Sequence, residues 1–181
     1  MLRRFLALIL VPFVLLAAGC GDDDQRVSVD HTPTSAAPAS DDGGSTTSVD
    51  PATAAVLAEV EDRGKPTVTV PDGPATSLQV TDDVVGEGAE VKPGDSVTVH
   101  YVGVGQQTGQ EFDSSWSRGQ TVSFPLDGVI KGWTDGLVGM KVGGRRTLVI
   151  PGDQAYGDSP PSDDIKPGET LVFVIDLVSI G

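Results

Sequence analysis

Apolar and polar residues alternate along much of the chain after residue 64, and this alternation predicts a β-rich domain. The clearest case lies between residues 96 and 104, where every second residue is apolar, as in a strand with one buried face. Further strands are predicted at 67–70, 78–85, 121–124, 146–150 and 171–180. In the strand at 96–104, the pattern predicts that His100 lies on the solvated face.

One amphipathic helix is predicted between the strands. Its apolar residues recur at intervals of three, four and three, which places them on one helix face: Ile130, Trp133, Leu137 and Met140. Gly132, Gly136 and Gly139 weaken this helix by about 1 kcal/mol each relative to Ala, so it must be stabilised by packing on the strands. We therefore predict an α+β fold, with a curved antiparallel β-sheet wrapped around one short amphipathic helix.

The N-terminus is typical of an export signal. Two arginines precede an apolar stretch, residues 5–16, that is too short to span a bilayer. Residues 17–20, Ala-Ala-Gly-Cys, resemble the lipobox of bacterial lipoproteins, in which the signal is removed before the cysteine and the cysteine is acylated. The resemblance implies a signal peptide over 1–19, lipidation at Cys20 and localisation at the extracytoplasmic face of the cell membrane. The alternatives are an ordinary cleaved signal with an incidental cysteine and a retained transmembrane anchor, which Pro12 and the early end of the apolar stretch disfavour.

The segment over residues 20–63 is predicted to be a lipid-anchored, acidic and disordered tether. It is rich in Asp, Ser, Thr, Pro and Gly, and its few apolar residues do not offset the entropy of ordering. One or two helical turns fit residues 52–61, but a helix this short is marginal in isolation. The face proposed for these turns consists of Ala54, Leu57, Ala58 and Glu61. The folded domain is then expected over residues 64–181.

The charge and the cysteine content exclude several classes of function. The net charge is −14, from 12 basic and 26 acidic residues. Such a charge repels nucleic acid and anionic membrane surfaces, so we expect no nucleic-acid partner and membrane contact only through the lipid anchor. No Cys/His cluster indicates a metal site, and no P-loop, EF-hand or nucleophile elbow is found. We expect a monomer without a cofactor.

A series of short motifs gives the sequence its most specific signal. They occur in the order Val99-His100-Tyr101, Phe112-Asp113-Ser114-Ser115, Val129-Ile130-Lys131-Gly132-Trp133, Gly139-Met140-Lys141-Val142-Gly143, Ala155-Tyr156-Gly157 and Thr170-Leu171-Val172-Phe173. This series, within residues 76–181, resembles the FKBP-type peptidyl-prolyl cis-trans isomerases. The fold of that family, an antiparallel sheet curled around a short helix, agrees with the pattern of strands and helix described above.

The resemblance implies a hydrophobic substrate pocket with Trp133 as its floor. Asp113 and Tyr156 would be its polar groups and would form the catalytic set with Trp133. The implied substrate-binding residues are Tyr101, Phe112, Val122, Phe124, Val129, Ile130, Ile165 and Phe173. Proline-containing polypeptides would be the clients, and macrolide-type inhibitors would bind the same pocket. Val122 stands where Phe is frequent in the family, and Pro161 where His is frequent, which leaves substrate preference and macrolide affinity open.

Two alternatives remain open at the level of the sequence. A non-catalytic peptide-binding or chaperone module would keep the same pocket without useful isomerase activity, and the changes at Val122 and Pro161 are compatible with it. An unrelated β-sandwich lipoprotein would lack a helix around Trp133. Each aromatic residue taken singly is also compatible with a role in the core alone.

Overall fold

The structure, a computed structural model, describes residues 49–181. The predicted signal peptide, Cys20 and most of the predicted tether lie outside the described residues. The elements in chain order are α1 (Pro51–Arg63), β1 (Gln79–Val84), β2 (Ser96–Gly105), β3 (Glu111–Ser114), α2 (Ser115–Arg118), β4 (Val122–Pro125), α3 (Lys131–Leu137), β5 (Arg145–Ile150), a 3₁₀ turn (Gly152–Gln154) and β6 (Leu171–Ile180). None of the helices in this part of the chain is long and apolar enough to cross a membrane.

The strands form one antiparallel sheet in the order β1-β5-β6-β2-β3. β2 and β6 pair along nearly their whole length and form the centre of the sheet. On its other edge β2 pairs first with β4, from Ser96 to Val99, and then with β3, from Val102 to Val104. This sheet and the short helix α3 confirm the predicted α+β fold.

The core lies between α3 and one face of the sheet, which we call the core face. Alternate residues of β2 and β6 are buried there: Val97, Val99, Tyr101, Leu171, Phe173, Ile175 and Leu177. Trp133 and Leu137 of α3 pack against them. α3 is shorter than predicted, because Val138 leaves helical geometry with a ψ of 133° and Gly139 follows with a φ of 82°.

The opposite face of the sheet is also covered, which corrects the prediction that His100 is solvated. This outer face carries His100, Val174, Asp176 and Val178, and the His100 side chain is only 3% exposed. Water is excluded by residues 51–76, which contact this face and which we call the N-terminal strap. The alternation in β2 therefore separates two buried environments, whereas a polar strand residue normally indicates solvent.

Helix α1 corrects the prediction of disorder over the last part of the tether. Asp50 caps the helix by accepting hydrogen bonds from the amides of Ala52 (2.9 Å) and Thr53 (3.1 Å). The face turned toward the sheet is formed by Thr53, Val56, Leu57 and Val60, and of the predicted set only Leu57 lies on it. Val60 is fully buried. The helix is ordered because packing supplies the stability that a short isolated helix lacks.

The strand predicted at Thr67–Val70 does not form. The segment has no regular secondary structure, and its threonines are exposed while Val68 and Val70 are partly buried, which accounts for the alternation. It pairs with no strand; the strap is held by isolated side-chain contacts. Arg145 Nη2 donates to the carbonyl of Gly64 (2.7 Å), and Gln106 Nε2 donates to the carbonyl of Pro71 (3.1 Å).

Candidate active site

A cavity of about 250 Å³ opens beside the N-terminus of α3. It is lined by Tyr101, Phe112, Asp113, Phe124, Gly128, Val129, Ile130, Trp133, Tyr156 and Phe173. These residues come from β2, β3, β4, β6, the start of α3 and the loop after β5. The cavity is therefore built by the whole fold, and its position at the rim of the core gives it both an apolar interior and an open mouth.

Aromatic rings fix the shape of the cavity around Trp133, which is 4% exposed. The rings of Tyr101, Phe124 and Phe173 lie 5.5, 5.4 and 5.3 Å from it, measured between ring centroids, with interplanar angles of 85°, 82° and 87°. Edge-to-face pairs at this distance are the favoured geometry for aromatic side chains. The indole is thus held as a rigid floor against which an apolar ring can lie.

Gly103 lets two of these rings come together over the sheet. A Cβ at this position would lie 2.7 Å from Phe112 Cζ and 2.8 Å from Phe173 Cε1, well inside van der Waals contact. A glycine within a strand is a known indicator of such close approach. The phenylalanine rings, 5.6 Å apart between centroids, occupy the space above it and close one wall.

One corner of the cavity is polar. The Tyr101 hydroxyl donates a short hydrogen bond to Asp113 Oδ2, and Arg118 Nη1 donates another to Asp113 Oδ1. Arg118 Nη2 also donates to the Tyr101 hydroxyl, at 2.9 Å, and the guanidinium lies 5.8 Å from the Tyr101 ring centroid. Sequence reasoning did not identify Arg118. The sequence offered only one indication, which is that Arg118 follows Asp113 by five residues and directly precedes Gly119.

This triad sets the protonation of its members. Burial alone would raise the pKa of Asp113, but the hydrogen bonds from Tyr101 and Arg118 outweigh it and hold the pKa below its ordinary value. Burial, reinforced by the bond to Asp113, raises the pKa of Tyr101 to about 12. At neutral pH the corner therefore holds a carboxylate, a neutral phenol and a guanidinium in one hydrogen-bonded set.

Arg118 reaches Asp113 because a single helical turn, α2, follows β3 directly. The Ser114 hydroxyl caps this turn by accepting from the Ser117 amide (3.3 Å), and Gly119 ends it with a φ of 67°. Behind the turn, the Trp116 ring stacks on His100 at 4.2 Å between centroids. The outer face of the sheet thus supports the element that carries Arg118.

The structure brings together all but two of the predicted pocket residues. Ile165 is buried in the core and does not line the cavity, and Val122 packs against the core from β4, opposite Val99. The side chains of both residues pack in the core instead. Gly128, which was not predicted, also lines the cavity. Tyr156 stands at the mouth and is 37% exposed. Burial, and to a lesser degree the charge of Asp113, raises the pKa of its hydroxyl.

Fold and pocket together define a class of protein that holds an apolar group against aromatic rings beside one polar corner. Within residues 49–181, no group of three or more His, Cys, Asp or Glu side chains is placed to hold a metal ion. The geometry suits a reaction that needs enclosure and orientation of a polypeptide segment.

Comparison with known proteins assigns the family. Residues 87–178 match the family model for the FKBP-type peptidyl-prolyl cis-trans isomerase. A probable FK506-binding protein of Corynebacterium glutamicum is 57% identical over 116 residues, which cover 64% of this chain and 98% of that protein. The FK506-binding protein of Streptomyces anulatus is 50% identical over 120 residues, covering 64% of this chain and 97% of the relative.

Solved structures agree with the sequence matches. The crystal structure of FkpA from Escherichia coli superposes with a TM-score of 0.54 at 38% identity, covering 68% of this chain and 56% of that one. The chain belongs to the FKBP-type peptidyl-prolyl cis-trans isomerase family, and the predicted enzyme class is confirmed.

Proposed function

We propose that this isomerase acts on X–Pro bonds of newly exported polypeptides at the outer face of the cell membrane, where a lipid on Cys20 anchors it. The observation that carries the catalytic part is the aromatic cavity, whose floor is the buried ring of Trp133 and whose one corner is polar. A prolyl ring is an apolar group that matches such a floor. The proposed localisation is supported by the N-terminal sequence pattern.

The chemistry requires no bond to be broken. Amide resonance gives a rotational barrier of about 18–20 kcal/mol, and uncatalysed X–Pro isomerisation takes tens to hundreds of seconds at 25 °C. Resonance is lost in the twisted transition state, and the carbonyl becomes less polar. An apolar cavity therefore accommodates the twisted imide better than the planar one, which is differential binding of the transition state.

The residues of the site divide into three roles. Trp133 would support the prolyl ring from below. Tyr156, at the open mouth, would donate its hydroxyl to a carbonyl of the bound segment. Asp113, fixed by Tyr101 and Arg118, would place its negative charge next to the carbon of the rotating carbonyl. No cofactor takes part in this mechanism.

The same cavity would take macrolide inhibitors, since relatives are named for binding FK506. Such a ligand provides a sharp test. A proline-limited refolding protein and a short X–Pro peptide are assayed with the full chain, with its Trp133→Ala variant and with FK506 added. Removing the floor should lower kcat/KM for the peptide by tenfold or more, because the apolar contact of a whole indole is lost.

Three outcomes of this assay are informative. FK506 should inhibit the wild-type chain on both substrates, as expected if one cavity serves both. A wild-type chain that binds FK506 but accelerates neither substrate would contradict the catalytic proposal and favour the non-catalytic binding module. Equal rates for the wild-type chain and the folded Trp133→Ala variant would remove Trp133 from the site.

A further inference from the structure

A lysine of the N-terminal strap contacts the segment that carries two members of the polar triad. Lys65 Nζ lies 2.7 Å from Glu111 Oε2 and donates to Ser117 Oγ at 3.2 Å. The Ser117 hydroxyl in turn donates to Glu111 Oε1 at 2.8 Å. Glu111 begins β3 and Ser117 lies in α2, so one ammonium group joins both ends of the corner formed by β3 and α2.

This corner contains Asp113 and Arg118, and it depends on its contacts for stability. A helix of one turn has no stability of its own, since the cost of nucleation exceeds what one turn returns. From β2, the ring of His100 stacks on Trp116, His100 Nδ1 lies 3.0 Å from Ser115 Oγ, and the Tyr101 amide donates to Ser115 Oγ at 2.8 Å. Lys65 adds a contact from the strap, to Glu111 and Ser117.

The lysine is itself held in place by its neighbours along the chain. The carbonyl of Gly64 accepts from Arg145 Nη2 at 2.7 Å, and Arg63 Nη2 donates to the carbonyl of Gly143 at 2.7 Å. These contacts attach the strap to the sheet immediately before Lys65. The strap precedes residues 87–178, which match the family model.

We propose that Lys65 is a positioning residue for the isomerase, which holds the β3–α2 corner so that Asp113 and Arg118 stay aligned with Tyr101. A segment that precedes the matched family region thereby sets the geometry of the pocket's polar corner. The proposal rests on the isomerase mechanism given under Proposed function. Lys65 is not among the residues that line the cavity, so its effect passes through Glu111 and Ser117.

The activity test uses charge exchange in the full chain. Lys65→Glu should lower kcat for an X–Pro peptide with KM nearly unchanged, by about two- to fivefold, which is the range available from a half-exposed ion pair. The double variant Lys65→Glu/Glu111→Lys should recover most of the loss, and Lys65→Arg should stay near the wild-type value. Lys92→Glu, an equal change of charge at another exposed site, is the matched control.

A spectroscopic readout separates positioning from general stability. The chain has only two tyrosines, so in a Tyr156→Phe background the ¹³Cζ resonance of tyrosine reports on Tyr101 alone. In that background Lys65→Met should lower the pKa of Tyr101 from about 12, because loosening the bond to Asp113, which raises this pKa, outweighs loosening the bond to Arg118, which lowers it. Loss of a nearby positive charge acting through space alone would raise this pKa, so the sign of the change distinguishes the two causes.

Each outcome decides the proposal. A lowered Tyr101 pKa, together with a kcat loss that the charge exchange repairs, supports it. It is overturned if Lys65→Glu changes only the unfolding temperature, or matches Lys92→Glu in activity, or if Lys65→Met leaves or raises the pKa. A wild-type chain without isomerase activity would refute the proposed function, while the titration of Tyr101 would still test the positioning.

Discussion

Gly132 lies on the side of α3 that faces β5. A Cβ built on it would be 2.4 Å from Ile150 Cγ2, and one on Gly136 would be 2.8 Å from Leu148 Cδ2. Both distances are shorter than carbon atoms tolerate, so the two glycines allow a close approach of helix and sheet that any side chain would prevent. Trp133, between them in sequence, is thereby set deep enough to form the floor of the cavity.

Gly132→Ala should destabilise the protein although alanine favours helix by about 1 kcal/mol. The added methyl overlaps Ile150, and overpacking of this kind costs typically 1–3 kcal/mol. We expect the free energy of unfolding in urea to fall, by up to about 2 kcal/mol. The displaced floor should also lower kcat/KM for an X–Pro peptide.

The matched control removes the obstacle. In an Ile150→Ala background the same substitution has space, so Gly132→Ala should there raise the free energy of unfolding through the better helix propensity of alanine. Destabilisation of equal size in both backgrounds would show that the contact with Ile150 is not the cause.

Arg118 shows where reasoning from sequence stops at the scale of single residues. The aromatic set was predictable, because aromatic residues within and between patterned strands have few other places to lie than the core and its rim. The partnership of Arg118 with Asp113 depends instead on one turn of helix, which depends on the stack between Trp116 and His100. Contacts across the sheet from distant segments leave no periodic signal in the chain.

At the scale of elements, the alternation of apolar and polar residues predicted the strands that have one face in the core. The strand predicted at 171–180 is found with these bounds as β6. Helix α1 was predicted to be marginal because its stability comes from packing on the sheet, and helix propensity alone does not indicate such packing. The segment at Thr67–Val70 alternates because one side of it is partly buried and the other is exposed, as in a strand, but it pairs with no neighbouring strand.

The interface between α1 and β6 contains a buried group of charges. Asp176 is fully buried and accepts from Arg145 Nε (2.8 Å) and Arg145 Nη2 (2.9 Å), while Arg63 Nη1 of α1 lies 3.5 Å away. Burial raises the pKa of Asp176 despite the bonds from Arg145. His100, opposite Asp176 in the register of β2 and β6, completes the group.

We expect His100 to make folding less favourable in acid. Burial lowers the pKa of His100, and the negative charges of Asp176 and Glu61 oppose this effect in part. The cations Arg63 and Arg145 also lie close to Asp176. Below the unfolded pKa of about 6.5 the unfolded chain takes up a proton first, so the histidine's contribution is complete above that pH and is lost as the pH falls. Unfolding in urea at pH 7.5, 6.0 and 5.0 measures it.

The comparison with His100→Asn isolates the histidine, because the raised pKa of Asp176 affects stability with the opposite sign. The wild-type chain should lose more free energy of unfolding than the variant between pH 7.5 and 5.0. Parallel pH profiles for the two chains would show that His100 titrates alike in the folded and unfolded states.

At the scale of the whole molecule, the two faces of one sheet serve different purposes. The core face and its rim form the cavity, and the outer face is closed by the strap. Helix α1, which begins at Pro51, packs against β6 on the outer face and contributes no residue to the cavity lining. Under the proposed function, a lipid at Cys20 would be connected to the domain through this helix.

Replacement of Cys20 by serine tests this arrangement in a bacterial host. Lipid chains contribute about 0.8 kcal/mol for each buried methylene, and two or more chains make membrane attachment durable, so the wild-type protein should sediment with membranes and incorporate labelled fatty acid. Cys20→Ser should remain unlabelled and lose stable membrane attachment. Its kcat/KM on a soluble X–Pro peptide should match that of the wild-type chain, because Cys20 is far along the chain from the residues that line the cavity, the first of which is Tyr101. Membrane association of an unlabelled variant would instead indicate attachment by another route.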